Sequence, residues 1–201
     1  MLLKNLELWE APETAFIVCD MWDLHHCLNA TRRGAELCPR MNAVLVTARA
    51  AGATIIHAPS GCLDFYEGTA ARRRAQEAPA APDSPEGLRD GVQKIDAEPG
   101  DGDDASAAGC VEGGYPIDQR DGGEDDDPLE HAAWAALLAD AGRDPGHPWI
   151  RQTAALDIDD DCERDFITDS GEETWNILAA RGISNVVLMG VHTNMCVIGR
   201  P

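Results

Sequence analysis

The sequence predicts an α/β protein: a mostly parallel sheet with helices on both faces, a three-layer α/β/α sandwich. Two observations predict it. Short runs such as Ala15-Phe16-Ile17-Val18-Cys19 and Asn185-Val186-Val187-Leu188-Met189 are continuously apolar, which suits strands buried on both faces. Between such runs lie segments with apolar residues at helical spacing, and strands alternating with helices argue an open α/β sheet. The 201 residues are enough for a single domain, 1–201, with a core of its own.

The first apolar run ends in the carboxylate of Asp20. Pro39 suits a first helical turn, and Met41, Val44, Leu45 and Ala48 recur at helical spacing up to the stop at Gly52. Ala53-Thr54-Ile55-Ile56-His57 then reads as a second strand, completing a β–α–β unit with a right-handed crossover expected. From about 78 to 127 the chain is rich in Pro, Gly, Asp and Ala. That composition buries too little apolar surface to offset chain entropy and predicts a long acidic surface insertion. Pro128 to Ala141 reads as a helix with Trp134, Leu137 and Leu138 on one side, and the alternation from Thr153 to Ile158 as a further strand. Ser170 is placed to cap a helix carrying Trp175, Ile177, Leu178 and Ala179, with Gly182 as its stop. Ser184 to Val191 follows as a third buried strand.

Charge excludes some classes of function. With Lys+Arg 16 against Asp+Glu 36, the formal net charge is -20. Nucleic acid and anionic membrane are bound mainly by clustered Lys and Arg, so neither is an expected partner. No apolar run approaches a membrane span, and residues 1–10 lack the apolar core of a signal peptide, so a cytoplasmic protein is expected. The seven cysteines stand at irregular spacings without a C-x-x-C pair, which reads as separate thiols rather than a disulfide frame. The Asp/Gly runs of the insertion never reach the calcium-loop spacing and read as a solvated loop.

In an open parallel sheet, ligands bind beyond the carboxyl ends of the strands. Three polar groups stand at predicted strand ends: Asp20, His57 and the segment His192-Thr193-Asn194-Met195-Cys196. A carboxylate closing an apolar strand is partly desolvated, which raises its pKa and fits it for proton exchange. A cysteine between a strand and a helix meets backbone N–H groups that favour the thiolate. Each residue also has an ordinary role: Asp20 capping a loop, Cys196 as a small buried residue, His57 as a hydrogen-bonded pocket residue. The His25-His26 pair, following Asp20 and Asp23, has zinc-binding side chains, but spacing places no third ligand and no metal is assigned. No G-x-G-x-x-G follows the first strand, so a dinucleotide site is not expected.

Phe16-Ile17-Val18-Cys19-Asp20-Met21-Trp22-Asp23 together with Gly190-Val191-His192-Thr193-Asn194-Met195-Cys196-Val197 resembles the isochorismatase-like cysteine hydrolases, the family of nicotinamidases and N-carbamoylsarcosine amidases. The resemblance covers the two ends of the chain and not its middle. It implies the isochorismatase-like hydrolase fold, with Cys196 as nucleophile and Asp20 as the base that takes its proton and returns it to the leaving amine. It also implies an oxyanion hole from the backbone N–H groups of His192 and Cys196, and a cis peptide at Val191–His192. Trp22, His57 and Asn194 are the candidates for the substrate pocket. The family's lysine has no counterpart in Lys4 or Lys94, and the nearest cation in register is Arg151, which can orient charge but does not exchange protons. The Asp-x-His metal motif of nicotinamidases is replaced by His57-Ala58-Pro59-Ser60-Gly61, so nicotinamide is not the expected substrate. A small-molecule substrate, no cofactor and a homo-oligomer follow. Family members continue past the nucleophile through helix, strand and helix, so a chain stopping at Pro201 is expected to be a truncated member. Two functions are therefore carried forward: a cysteine amidohydrolase, and a non-catalytic member acting in binding or assembly.

Overall fold

The computed structural model describes residues 7–85, 88, 127–192 and 196–197. Four strands, β1 (Thr14–Cys19), β2 (Thr54–Ala58), β3 (Asp165–Ile167) and β4 (Asn185–Gly190), form one sheet in the order β3-β2-β1-β4. Every pairing is parallel, so the chain has an α/β fold. The helices are α1 (Leu28–Ala51), α2 (Ala70–Gln76), α3 (Pro128–Asp140) and α4 (Gly171–Arg181). Three-residue and four-residue 3-10 turns lie at Ala11–Glu13 and Leu63–Tyr66.

Alternation along the strands divides the core. Val18 and Ile55 pack with Met41, Leu45 and Ala48 of α1, while Ile17, Cys19, Ile56 and Phe166 pack with Ala75 of α2 and Ile177 of α4. Two left-handed glycines end their helices as the sequence predicts: Gly52 at φ 96° after α1 and Gly182 at φ 64° after α4. Ser170 accepts the Glu173 N–H at the start of α4, and Asp127 caps α3 at Leu129 and Glu130.

Three sequence expectations are corrected. Pro39 lies inside α1 rather than in its first turn, because the helix begins eleven residues earlier at Leu28 and buries Ala30 and Cys38 along its extra length. Thr153–Ile158 is not a strand. Leu156 turns back to donate to the Thr153 carbonyl at 3.1 Å, and Gln152 makes only an isolated antiparallel bridge to Trp22. The sheet position is filled instead by Asp165–Ile167. Leu137 is exposed on α3, leaving Leu138 as that helix's buried residue. The predicted insertion lies almost wholly outside the described residues.

A buried polar staple joins α1 to the short β3. The Arg49 guanidinium donates to Asp165 at 2.7 and 2.8 Å, and His57 Nε2 meets the same carboxylate at 3.3 Å. His57 Nδ1 lies 3.1 Å from Gln152 Oε1. His57 and Asp165 are fully buried, so the carboxylate must be paired to be tolerated. Burial alone would raise its pKa, but hydrogen bonds from His57, Arg49 and the Asp159 N–H outweigh that and hold it at about 2, below the ordinary 3.8. A carboxyl depressed on folding contributes stability above its unfolded pKa and loses it as pH falls toward the folded value. Urea unfolding should therefore show about 2 kcal/mol of stability lost between roughly pH 4 and pH 2. In Asp165→Asn that acid-range loss should vanish, with stability already lower at pH 7 because Arg49 loses its partner. An unchanged acid slope in the variant would contradict the assignment.

Candidate active site

Because all four strands run parallel, the segments that follow them share one end of the sheet. Asp20 leaves β1 with φ 47°, a left-handed conformation that Asp tolerates better than most residues. It is buried, its N–H donates to the Ala58 carbonyl at 3.1 Å, and its Oδ1 accepts the Ser60 N–H at 2.7 Å. The loop after β2 thus fixes the carboxylate of the loop after β1. The same loop accepts Trp22 Nε1 at the Ser60 carbonyl (3.1 Å), and Gly61 donates its N–H to Asp169, beyond β3, at 2.9 Å.

β4 lies beside β1 with Gly190 opposite Cys19, and the Val191 N–H donates to the Cys19 carbonyl at 3.3 Å. Gly190 has φ 144°, and a Cβ there would stand 2.0 Å from the Cys19 carbonyl oxygen, so only glycine fits. The next peptide, Val191–His192, is cis, the bond to which the resemblance pointed. His192 is buried and its carbonyl accepts the Val197 N–H at 3.0 Å, and Cys196 is half-buried. Asp20 and the His192–Cys196 segment therefore leave neighbouring strands at matching registers. Asn194 lies outside the described residues.

Aromatic rings line this end of the sheet. Trp22 stacks on Trp149 with centroids 4.3 Å apart, and His25 stacks beside both at 5.8 and 5.7 Å. The His192 ring is 4.9 Å from that of His25. Burial foremost, then the nearness of His26 and His192, lowers the His25 pKa to about 3, so its ring is neutral at pH 7. Its Nδ1 accepts the Cys27 N–H at 3.0 Å, which puts the ring proton on Nε2.

Arg151 sits beside Asp23, Nε 3.7 Å from Oδ2, with its guanidinium 5.4 Å from the centre of the Phe65 ring. Asp23 also accepts Arg143 at 2.9 Å and the Leu24 and Ile150 N–H groups, so this carboxylate anchors the loop. His57 is corrected as a pocket candidate: it lies within β2, fully buried, and its ring belongs to the Asp165 staple. Sequence reasoning missed Ser60, Trp149 and Asp169. Cys62 was one undistinguished thiol among seven. Burial first, then the carboxylates of Asp23, Asp20 and Asp169, pushes it up to about 12, which makes it inert.

Comparison with protein-family models, curated proteins and solved structures returned no match.

The close approach at Gly190 is testable by stability. Gly190→Ala should cost about 3 kcal/mol or more, because the new Cβ meets backbone rather than a yielding side chain. Gly34→Ala is the control: it lies inside α1 with open space at its Cβ, and should gain about 0.5–1 kcal/mol. Equal thermal stabilities for the two variants would contradict the packing described.

Proposed function

We propose that this chain is a cysteine-dependent hydrolase of a small amide or related C–N bond, working through a thioester on Cys196. The observation that carries the reading is the in-register pairing of β1 with β4, from which Asp20 and the His192–Cys196 segment emerge side by side. The sequence resemblance to isochorismatase-like cysteine hydrolases supports the same assignment of roles.

In this reading Asp20 takes the Cys196 proton, and the thiolate adds to the substrate carbonyl carbon. The oxyanion is received by the backbone N–H groups of His192 and Cys196, donors whose positions cost no reorganisation during the reaction. Asp20 returns the proton to the nitrogen as the C–N bond breaks and the amine leaves. Water, deprotonated by Asp20, then attacks the thioester and releases the acid and the thiol. Arg151 stands in for the family's lysine as a fixed positive charge, and Trp22 forms the pocket wall. The reading carries with it a cytoplasmic homo-oligomer acting on a small molecule. No helix among the described residues is long and apolar enough to cross a membrane.

The engagement of Arg151 by Asp23 and Phe65 favours a second reading, in which the chain binds or assembles without turnover. Incubation with a panel of small primary amides and ureido compounds separates the two. The hydrolase reading expects ammonia or amine release and a mass-detected acyl adduct on the Cys196 peptide. Both should vanish in Cys196→Ala, and turnover should fall at least a hundredfold in Asp20→Asn. Binding of a panel compound with neither adduct nor release would overturn the hydrolase in favour of the binding protein.

A further inference from the structure

Spacing fixes no geometry for the His25-His26 pair, but the fold turns its ligand atoms and those of the next residue, Cys27, toward one another. Ligand-capable atoms of His25, His26 and Cys27 all lie within 4.8 Å of one another. With nitrogen–zinc bonds near 2.0–2.1 Å and sulfur–zinc bonds near 2.3 Å, small side-chain rotations close that spread onto one ion.

The composition of the cluster is hard to explain as core. His25 and His26 have ring centres 4.1 Å apart, and His192 adds a third imidazole 4.9 Å from His25. Packing three imidazoles together takes polar rings out of water, and apolar residues would fill the space without that desolvation cost. Cys27 occupies the N-cap of α1, where Ser, Thr, Asp and Asn are preferred, yet its side chain makes no capping hydrogen bond. The first turn of a 24-residue helix instead directs backbone N–H groups and the positive end of its dipole at that residue, which favours an anionic sulfur.

We propose that His25, His26 and Cys27 bind one zinc-class divalent ion in the loop between β1 and α1. The two nitrogens and one sulfur select zinc over magnesium or calcium, which prefer oxygen. Three protein ligands leave a fourth position, which His192 is the nearest imidazole to fill. Because His25 Nδ1 accepts the Cys27 N–H, ligation by that ring gives up this neutral hydrogen bond, a small loss against metal–ligand bonding. The three ligands include neither Asp20 nor Cys196, so metal binding is measured independently of turnover.

The test uses the full chain, stripped with chelator and reloaded with Zn2+ or Co2+. One zinc per chain should survive dialysis, and the Co2+ form should show thiolate-to-metal charge-transfer absorption. Cys27→Ser, which places a favourable residue at the N-cap and so preserves the fold, should abolish that absorption. His26→Ala should weaken zinc binding at least tenfold. Cys162→Ser and Cys196→Ala should bind as wild type. The proposal is overturned if the wild type retains no zinc, or if Cys27→Ser and His26→Ala, folded by circular dichroism, bind as tightly as wild type.

Discussion

The pairing of β1 with β4 governs everything at the carboxyl end of the sheet. These strands are far apart in sequence, yet they lie in parallel register from Thr14 opposite Asn185 to Cys19 opposite Gly190. At the last pair the backbones approach so closely that no side chain fits on Gly190. The Val191 N–H continues the contact onto the Cys19 carbonyl, one residue before Asp20. A slip of one residue would turn every side chain of β4 to the other face and carry His192 and Cys196 away from Asp20. The glycine therefore does more than pack: it sets where the segments that follow β1 and β4 leave the sheet.

The other edge is held by charge rather than by length. β3 has only three residues, too few to be stable by ladder bonds alone, and it opens with an aspartate. What keeps it in place is Asp165, gripped by Arg49 of α1 and His57 of β2 in a site closed to water. Removing one member would leave another charged and buried, so the staple is costly to break. It also explains why His57, a polar residue in an apolar strand, is structural and not part of the pocket.

The central strands, the ends of α1 and α4, and the places of Asp20 and Cys196 were legible because they rest on local signals: continuous apolar runs, a serine cap, glycine stops and carboxylates at strand ends. What escaped the sequence depends on tertiary partners. Asp165–Ile167 is too short for a period and starts with a residue disfavoured in strands, so tertiary partners such as Arg49 and His57 make it one. Thr153–Ile158 alternates like a strand but turns at Leu156. The first turns of α1 hid behind a proline that usually marks a helix start. Cys27 follows His26 directly, but only the fold shows the ligand atoms of His25, His26 and Cys27 turned toward one another.

The claim that Asp20 and Cys196 act as a pair is tested most directly by the pH dependence of iodoacetamide labelling at Cys196, read by peptide mass spectrometry in wild type and in Asp20→Asn. The account predicts rapid labelling well below the free-thiol pKa of about 8.5. It also predicts a shifted profile in the variant, while Cys62 stays unlabelled in both. Labelling of Cys196 at an ordinary thiol rate, with one profile for both proteins, would contradict it.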